Sequence, residues 1–222
     1  MLSFFRKGPI GLEHLVSKAI GLLGDARHSF DLATLALLTD TDAAAVDTDI
    51  RETDERMSQT EQELRSELVV HISVQGAADI GSAFGLVLLT NKIERIGAQT
   101  RNILDLAEAG AHLAGQPDTE ALLAERSVIS ALFGEAAELM AEPDEDAIED
   151  MSRRCEALQA EQQEKIAGYL HSTEPGEVVV PRAIYYRYTK RIVANLLGVV
   201  IAASEPMPAD DTASDGLSDT QS

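Results

Sequence analysis

"TNKIERIGAQTRNI", Thr90 to Ile103, reads as one apolar stripe of a helix, yet it sets Glu94 beside Arg95 and follows them with the small residues Gly97 and Ala98. A paler copy, "RYTKRIVANLL" (Arg187 to Leu197), stands near the other end of the chain. Aligning the two pairs Arg95 with Arg191, Ile96 with Ile192 and Ala98 with Ala194, all at an offset of 96. A repeat of about 100 residues follows if the surrounding helices match as well.

They do match in order and length. Leu12, Leu15, Val16, Ala19, Leu22, Leu23, Ala26, Phe30, Ala33 and Leu37 recur at steps of three or four, one face of a helix of about eight turns. "TDTD" (Thr39 to Asp42) offers turn and N-cap chemistry. A second helix is expected from Ala43 to about Val70 and a third from near Asp79 to Glu108, parted at "VQGAAD". "AGQPDTE" (Ala114 to Glu120) breaks the chain with Gly and Pro. A fourth helix is expected to about Met140, a fifth from Asp144 to Leu170 with acids at its favoured end, and a sixth from Pro181 to Ala203. "HSTEPGE" is expected as loop, and "EVVVP" (Glu177 to Pro181) is the one β-branched run. The reading is all-α: two tandem three-helix bundles at residues 9–113 and 117–204, packed side by side, followed by an acidic tail at 205–222.

Composition narrows the function. The 222 residues are 45% hydrophobic and 4% aromatic, with no Trp, as expected of a globular helical chain. The net charge of −20 lacks the basic footprint that nucleic acid or anionic lipid requires. Five of those charges fall after Ser204, in "EPMPADDTASDGLSDTQS", which has no Lys, Arg or apolar period and is expected to be disordered. A single Cys155 excludes an internal disulfide and a Cys-based zinc site. No apolar run reaches the roughly 18 residues of a spanning helix, and "MLSFFRKGPIG" lacks a signal-peptide core. A cytoplasmic protein is expected, at most peripheral to a membrane through "LSFFRK" (Leu2 to Lys7).

"KIERIGAQTRNI" (Lys92 to Ile103) and "HSFDLATLALLTDTDAAAVDTDIRETD" (His28 to Asp54), together with the doubled helical layout from Gly11 to Ala203, resemble the PhoU family of phosphate-uptake regulators. The resemblance implies a helical regulator, generally dimeric, working beside a phosphate transporter component or a sensor histidine kinase. It also implies carboxylates four residues apart in each repeat that bind a metal cluster, since residues at i and i+4 share a helix face and hard cations want several carboxylate oxygens. Here the pattern departs. Glu94 keeps the first acid of the first repeat, but the second position is Ala98, and the second repeat reads Lys190 and Ala194. A protonated lysine repels a metal ion. No cofactor is therefore expected; a metal-binding alternative rests on Glu94 with Asp49 and Glu52, acids that are more simply a solvated face.

No P-loop, GxGxxG, nucleophile elbow or zinc motif is present, and no Glu-x-x-His of the di-iron bundles, so catalysis is not expected. His71 and His112 follow Glu67 and Glu108 by four residues, a spacing that an acid-rich chain produces by chance. "AIYYRYTKR" (Ala183 to Arg191) gathers three of the four tyrosines. With Arg182 just before it, it is the one basic and aromatic cluster. Such residues are enriched at interfaces, so Arg182, Tyr185, Tyr186, Arg187, Tyr188, Lys190 and Arg191, with Glu94 and Arg95, are the expected partner-binding residues. The competing reading packs the tyrosines into the bundle. The function expected is regulation of phosphate transport through protein–protein binding; a carboxylate-bridged metal protein and a structural helical adaptor are its rivals.

Overall fold

The computed structural model describes residues 12–75 and 80–204, so the expectations for "LSFFRK" and for the acidic tail lie outside the described residues. It contains six helices: α1 (Leu12–Leu38), α2 (Ala43–Gln75), α3 (Ile80–Glu108), α4 (Thr119–Ala141), α5 (Glu145–Leu170) and α6 (Gly176–Ser204). No strand occurs among the described residues.

Local chemistry sets most boundaries. Asp42 accepts the Ala44 N–H at 3.1 Å and starts α2, and Asp144 accepts the Ala147 N–H at 2.8 Å and starts α5. Asp118 occupies the same place before α4 but caps nothing, because its carboxylate is turned to Arg182 of α6. The α3–α4 connection passes through left-handed Gly110 (φ 91°) and is pinned where the buried Leu113 donates its N–H to the Leu37 carbonyl at 2.9 Å.

Two expectations are corrected. α2 runs on from Val70 to Gln75. α6 begins at Gly176, so the Val178–Val180 run is helical and Pro181 lies inside the helix. Proline there forgoes one intrahelical bond, and the Arg182 guanidinium returns to the same turn by donating to the Val178 carbonyl at 2.7 Å.

α1, α3, α4 and α6 form the interior, with α2 lying on α1 and α3, and α5 lying chiefly on α6 and hardly touching α4. One continuous apolar core runs through all six helices. α3 and α6 are antiparallel: early Gly85 stands against the late Ala202 carbonyl, and Lys92 lies across Gly198, 3.1 Å from where a methyl would sit. These are the close approaches of the seam. Gly97 is not one of them: a methyl there would meet only Met57 Cε, at an ordinary 3.7 Å.

The repeat is visible in what is buried. Shifting Leu86, Leu89, Thr90, Ile93, Ile96, Gly97, Thr100, Ile103 and Leu104 by 96 lands each time on a buried residue of α6, from Arg182 to Val200. α1 maps onto α4 at an offset of 103, pairing Phe30 with Phe133, whose rings meet at 5.5 Å. α2 maps onto α5 at 98, pairing Met57 with Cys155 and Leu64 with Gln162. Like helix therefore meets like helix, α1 on α4 and α3 on α6, about an approximate two-fold axis.

Truncating the seam separates interior from surface. Ile192→Ala is expected to cost about 2–5 kcal/mol in urea unfolding, since Ile192 is fully buried; the exposed neighbour change Arg191→Ala should stay within about 0.5 kcal/mol.

Candidate functional site

The stretch that carries Glu94 lines a cleft of about 100 Å³ between α2 and α3, with Asp54, Ser58, Glu61, Thr90, Gly97 and Arg101 around it. Glu94 faces Glu61 and Arg65 of α2, the Arg65 Nη2 lying 3.7 Å from its carboxylate. Arg65 also pairs with Glu61, one helical turn away, and donates to the Asn91 side chain at 3.3 Å. Burial, and then the neighbouring Glu94 charge, push the Glu61 carboxyl above its ordinary range. Arg101 pairs with Asp54 across the same cleft.

The other acids weighed for a metal are elsewhere. Asp49 meets His28 at 3.1 Å, and Glu52 lies in the charge field of Arg56. Asp49 precedes Glu61 by twelve positions on α2, about 18 Å of helix at 1.5 Å per residue. The structure thus does not bring Glu94 together with Asp49 and Glu52. His112 meets Asp40, not Glu108, at 3.4 Å, and Glu67 is taken by Lys18 at 2.7 Å. Among the described residues no group of three His, Cys, Asp or Glu is placed to hold a metal.

The repeat offsets locate the matching site in the second half. Glu94 becomes Lys190, Arg65 becomes Gln163, and Lys190 Nζ donates to Gln163 Oε1 at 2.6 Å. The cation–anion contact between α2 and α3 is thus rewritten between α5 and α6 with its anion replaced by a cation and its cation by an amide. A carboxylate cluster for hard cations does not fit either place: the donors are methyls at Ala98 and Ala194, an ammonium at Lys190, and a Glu94 already facing a guanidinium.

The aromatic cluster turns inward. Tyr185 is 0% and Tyr186 3% exposed, and Arg182 grips Asp118 with two hydrogen bonds of 2.7 Å. Tyr186 meets the rings of Tyr185 at 5.6 Å and Tyr169 at 6.2 Å, with Lys165 Nζ 4.7 Å from its centroid. The packed reading of the tyrosines is the one the geometry takes, and of the expected cluster Glu94, Arg95, Arg187 and Arg191 are left exposed.

Behind the tyrosines lies a buried network that sequence reasoning missed. Glu125 of α4 accepts from Gln162 Nε2 at 2.7 Å and Lys165 Nζ at 2.9 Å, and Gln162 also reaches Thr189 Oγ1 at 3.2 Å. Their counterparts in the first half are Leu22, Leu64 and Ile93, all buried and apolar. The signal was present as polar residues breaking the apolar period of α4, α5 and α6, but it needed the three separate offsets to be read. The Tyr185 hydroxyl beside it has no hydrogen-bond partner among the described residues, and burial pushes its pKa well above the ordinary value. Burial likewise pushes the Cys155 thiol up to about 11, leaving it protonated and unreactive.

Two measurements check these assignments. Glu125→Ala should cost about 1–3 kcal/mol in urea unfolding by stranding Gln162, whereas Glu125→Leu with Gln162→Leu and Thr189→Ile, the first-half residues, should be neutral or stabilising. The Arg182 hydrogen bonds hold the Asp118 carboxyl below its ordinary range, so its stabilising contribution is complete above about pH 4 and vanishes as the pH falls through the lowered folded-state value. Asp118→Asn should accordingly lower the urea midpoint at about pH 6 and have little effect at about pH 2.

Comparison with known proteins agrees with this architecture. Residues 22–107 match the family model of the PhoU domain. The fold is shared with the crystal structure of PhoU from Pseudomonas aeruginosa, at a TM-score of 0.72 and 20% identity over 87% of this chain and 95% of that one. No curated protein sequence matches the chain. The PhoU-domain match spans most of α1, all of α2 and nearly all of α3, so residues 22–107 are similar to a PhoU domain, and the described helices share the fold of that crystal structure.

Proposed function

We propose that this protein is a non-catalytic regulator of phosphate homeostasis that acts by binding a phosphate transporter component or a sensor histidine kinase. The match of residues 22–107 to the PhoU domain is the observation that carries the reading. The chemistry of the helices supports a binding role. The signature positions hold side-chain pairs such as Glu94–Arg65 and Lys190–Gln163 in place of a ligand set, and the lone thiol is protonated and buried.

The contact surface follows from charge. Acids dominate the outer helices α2 and α5, where Glu52, Glu55, Glu149 and Glu156 are exposed. Such a surface docks on a basic cytoplasmic patch, with charge setting the association rate and the choice of partner. In this reading the protein works in the cytoplasm as a homodimer, and no helix among the described residues is long and apolar enough to cross a membrane. The repeats at 9–113 and 117–204 act as one body, because their interiors are continuous.

A membrane-fraction pull-down with the full chain as bait is the test. The expected outcome is recovery of a phosphate transporter subunit or a histidine kinase at about 0.05 M salt, weakened at least several-fold at about 0.5 M. Recovery of neither, or binding indifferent to salt, would overturn the reading.

A further inference from the structure

The cations of this acidic protein are not distributed alike. Among the described residues, every Lys and Arg of α1, α2, α4 and α5 has a carboxylate partner, from Lys18 with Glu63 and Glu67 to Lys165 with Glu125. On α3 and α6 only Arg101 and Arg182 do. Lys92, Arg95, Arg187 and Arg191 form no ion pair with any described residue, and the three arginines are exposed.

These four lie together. Arg187, Arg191 and Gly198 are spaced i, i+4 and i+11 on α6, which places them within about 40° of one another around the helix. Gly198 is the residue across which Lys92 of α3 lies, and a methyl there would be 3.3 Å from its Nζ. Arg95 follows Lys92 by less than one turn and is the repeat mate of Arg191. The result is a basic strip along the α3–α6 seam, about 16 Å from the level of Arg187 to that of Gly198 at 1.5 Å per residue.

Its complement is attached to its end. Glu205 follows directly on Ser204, the last residue of α6, and the segment Glu205 to Ser222 has five acids and neither Lys nor Arg. From Ser204 back to the level of Arg187 is about 26 Å of helix, and eighteen residues of chain reach about 60 Å when extended. Exposed charge pairs are individually weak. A tether alters that, since it holds the acids at an effective concentration in the millimolar range.

We propose that the acidic segment Glu205–Ser222 docks in cis along the strip formed by Lys92, Arg95, Arg187 and Arg191, and thereby covers the basic strip of the described residues. The contact is electrostatic and screened by salt, and it competes with any acidic partner for the same face. It stands independently of the phosphate reading, because it concerns only this chain's own residues.

The test uses the full chain carrying Ser214→Cys with a nitroxide on it; buried Cys155 is not labelled. Paramagnetic broadening of α3 amides near Arg95 and α6 amides near Arg191 is expected at about 0.05 M salt and should be lost at about 0.5 M. It should also be lost in Arg95→Glu with Arg191→Glu, substitutions at exposed positions that leave the helical circular dichroism unchanged. Absence of broadening at low salt overturns the proposal and leaves the face to acidic partners in trans. Broadening of an isotope-labelled chain by a separate spin-labelled chain assigns the strip to a second copy, which also overturns it.

Discussion

The antiparallel seam of α3 on α6 holds this structure together. The two trios do not have separate interiors: α3 lies on α6 at least as extensively as on helices of its own half, α1 on α4 nearly so, and α5 rests on α6 and barely on α4. The seam closes at Gly85 against Ala202 and Lys92 across Gly198, with α1 meeting α4 at Phe30 and Phe133. A helix with one apolar stripe must find a second surface for it. Here duplication supplies that surface, and the two halves share one interior.

Given that constraint, the halves were free to diverge wherever the seam does not reach. The interior of the first is apolar at Leu22, Leu64 and Ile93, and that of the second is a hydrogen-bonded set at the same places, Glu125, Gln162 and Thr189. The second follows the rule that buried polar groups are paired only in part: the Gln162 side-chain carbonyl oxygen and the Tyr185 hydroxyl have no hydrogen-bond partner among the described residues, yet its directional bonds fix α4, α5 and α6 relative to one another. The outer contacts diverged too, from Arg65–Glu94 to Gln163–Lys190. With Ala98, Lys190 and Ala194 where the PhoU resemblance implies carboxylates, these positions lack the charge density that a multivalent cation requires.

Charge is the remaining organising feature. Most cations are tied to local acids, so the surface of α2 and α5 presents net negative potential. The exception is the α3–α6 strip, where small residues such as Ala98, Ala194 and Gly198 leave little to shield the arginines. Among the described residues, then, the surface carries two faces of opposite sign, the acidic helices α2 and α5 and the basic strip of α3 and α6.

Helix number, order and most helix ends were determined by the sequence alone, because a 3.6-residue apolar period and capping residues such as Asp42 and Asp144 act over a single turn. The doubling was legible as well, from Arg95, Ile96 and Ala98 against Arg191, Ile192 and Ala194. The start of α6 was not, since three valines before a proline read locally as extended chain, whereas they form the opening of a helix that lies on α3, α4 and α5. Nor was the fate of the site residues. Whether Tyr185 faces a partner or the core, and whether Glu94 meets Asp49 or Arg65, depends on which helix lies alongside and at what height, a long-range relation that no local pattern encodes. The separate offsets of α1, α2 and α3 hid the match between Leu22, Leu64 and Ile93 and the polar trio, and the folded chain shows it because equivalent residues occupy equivalent space.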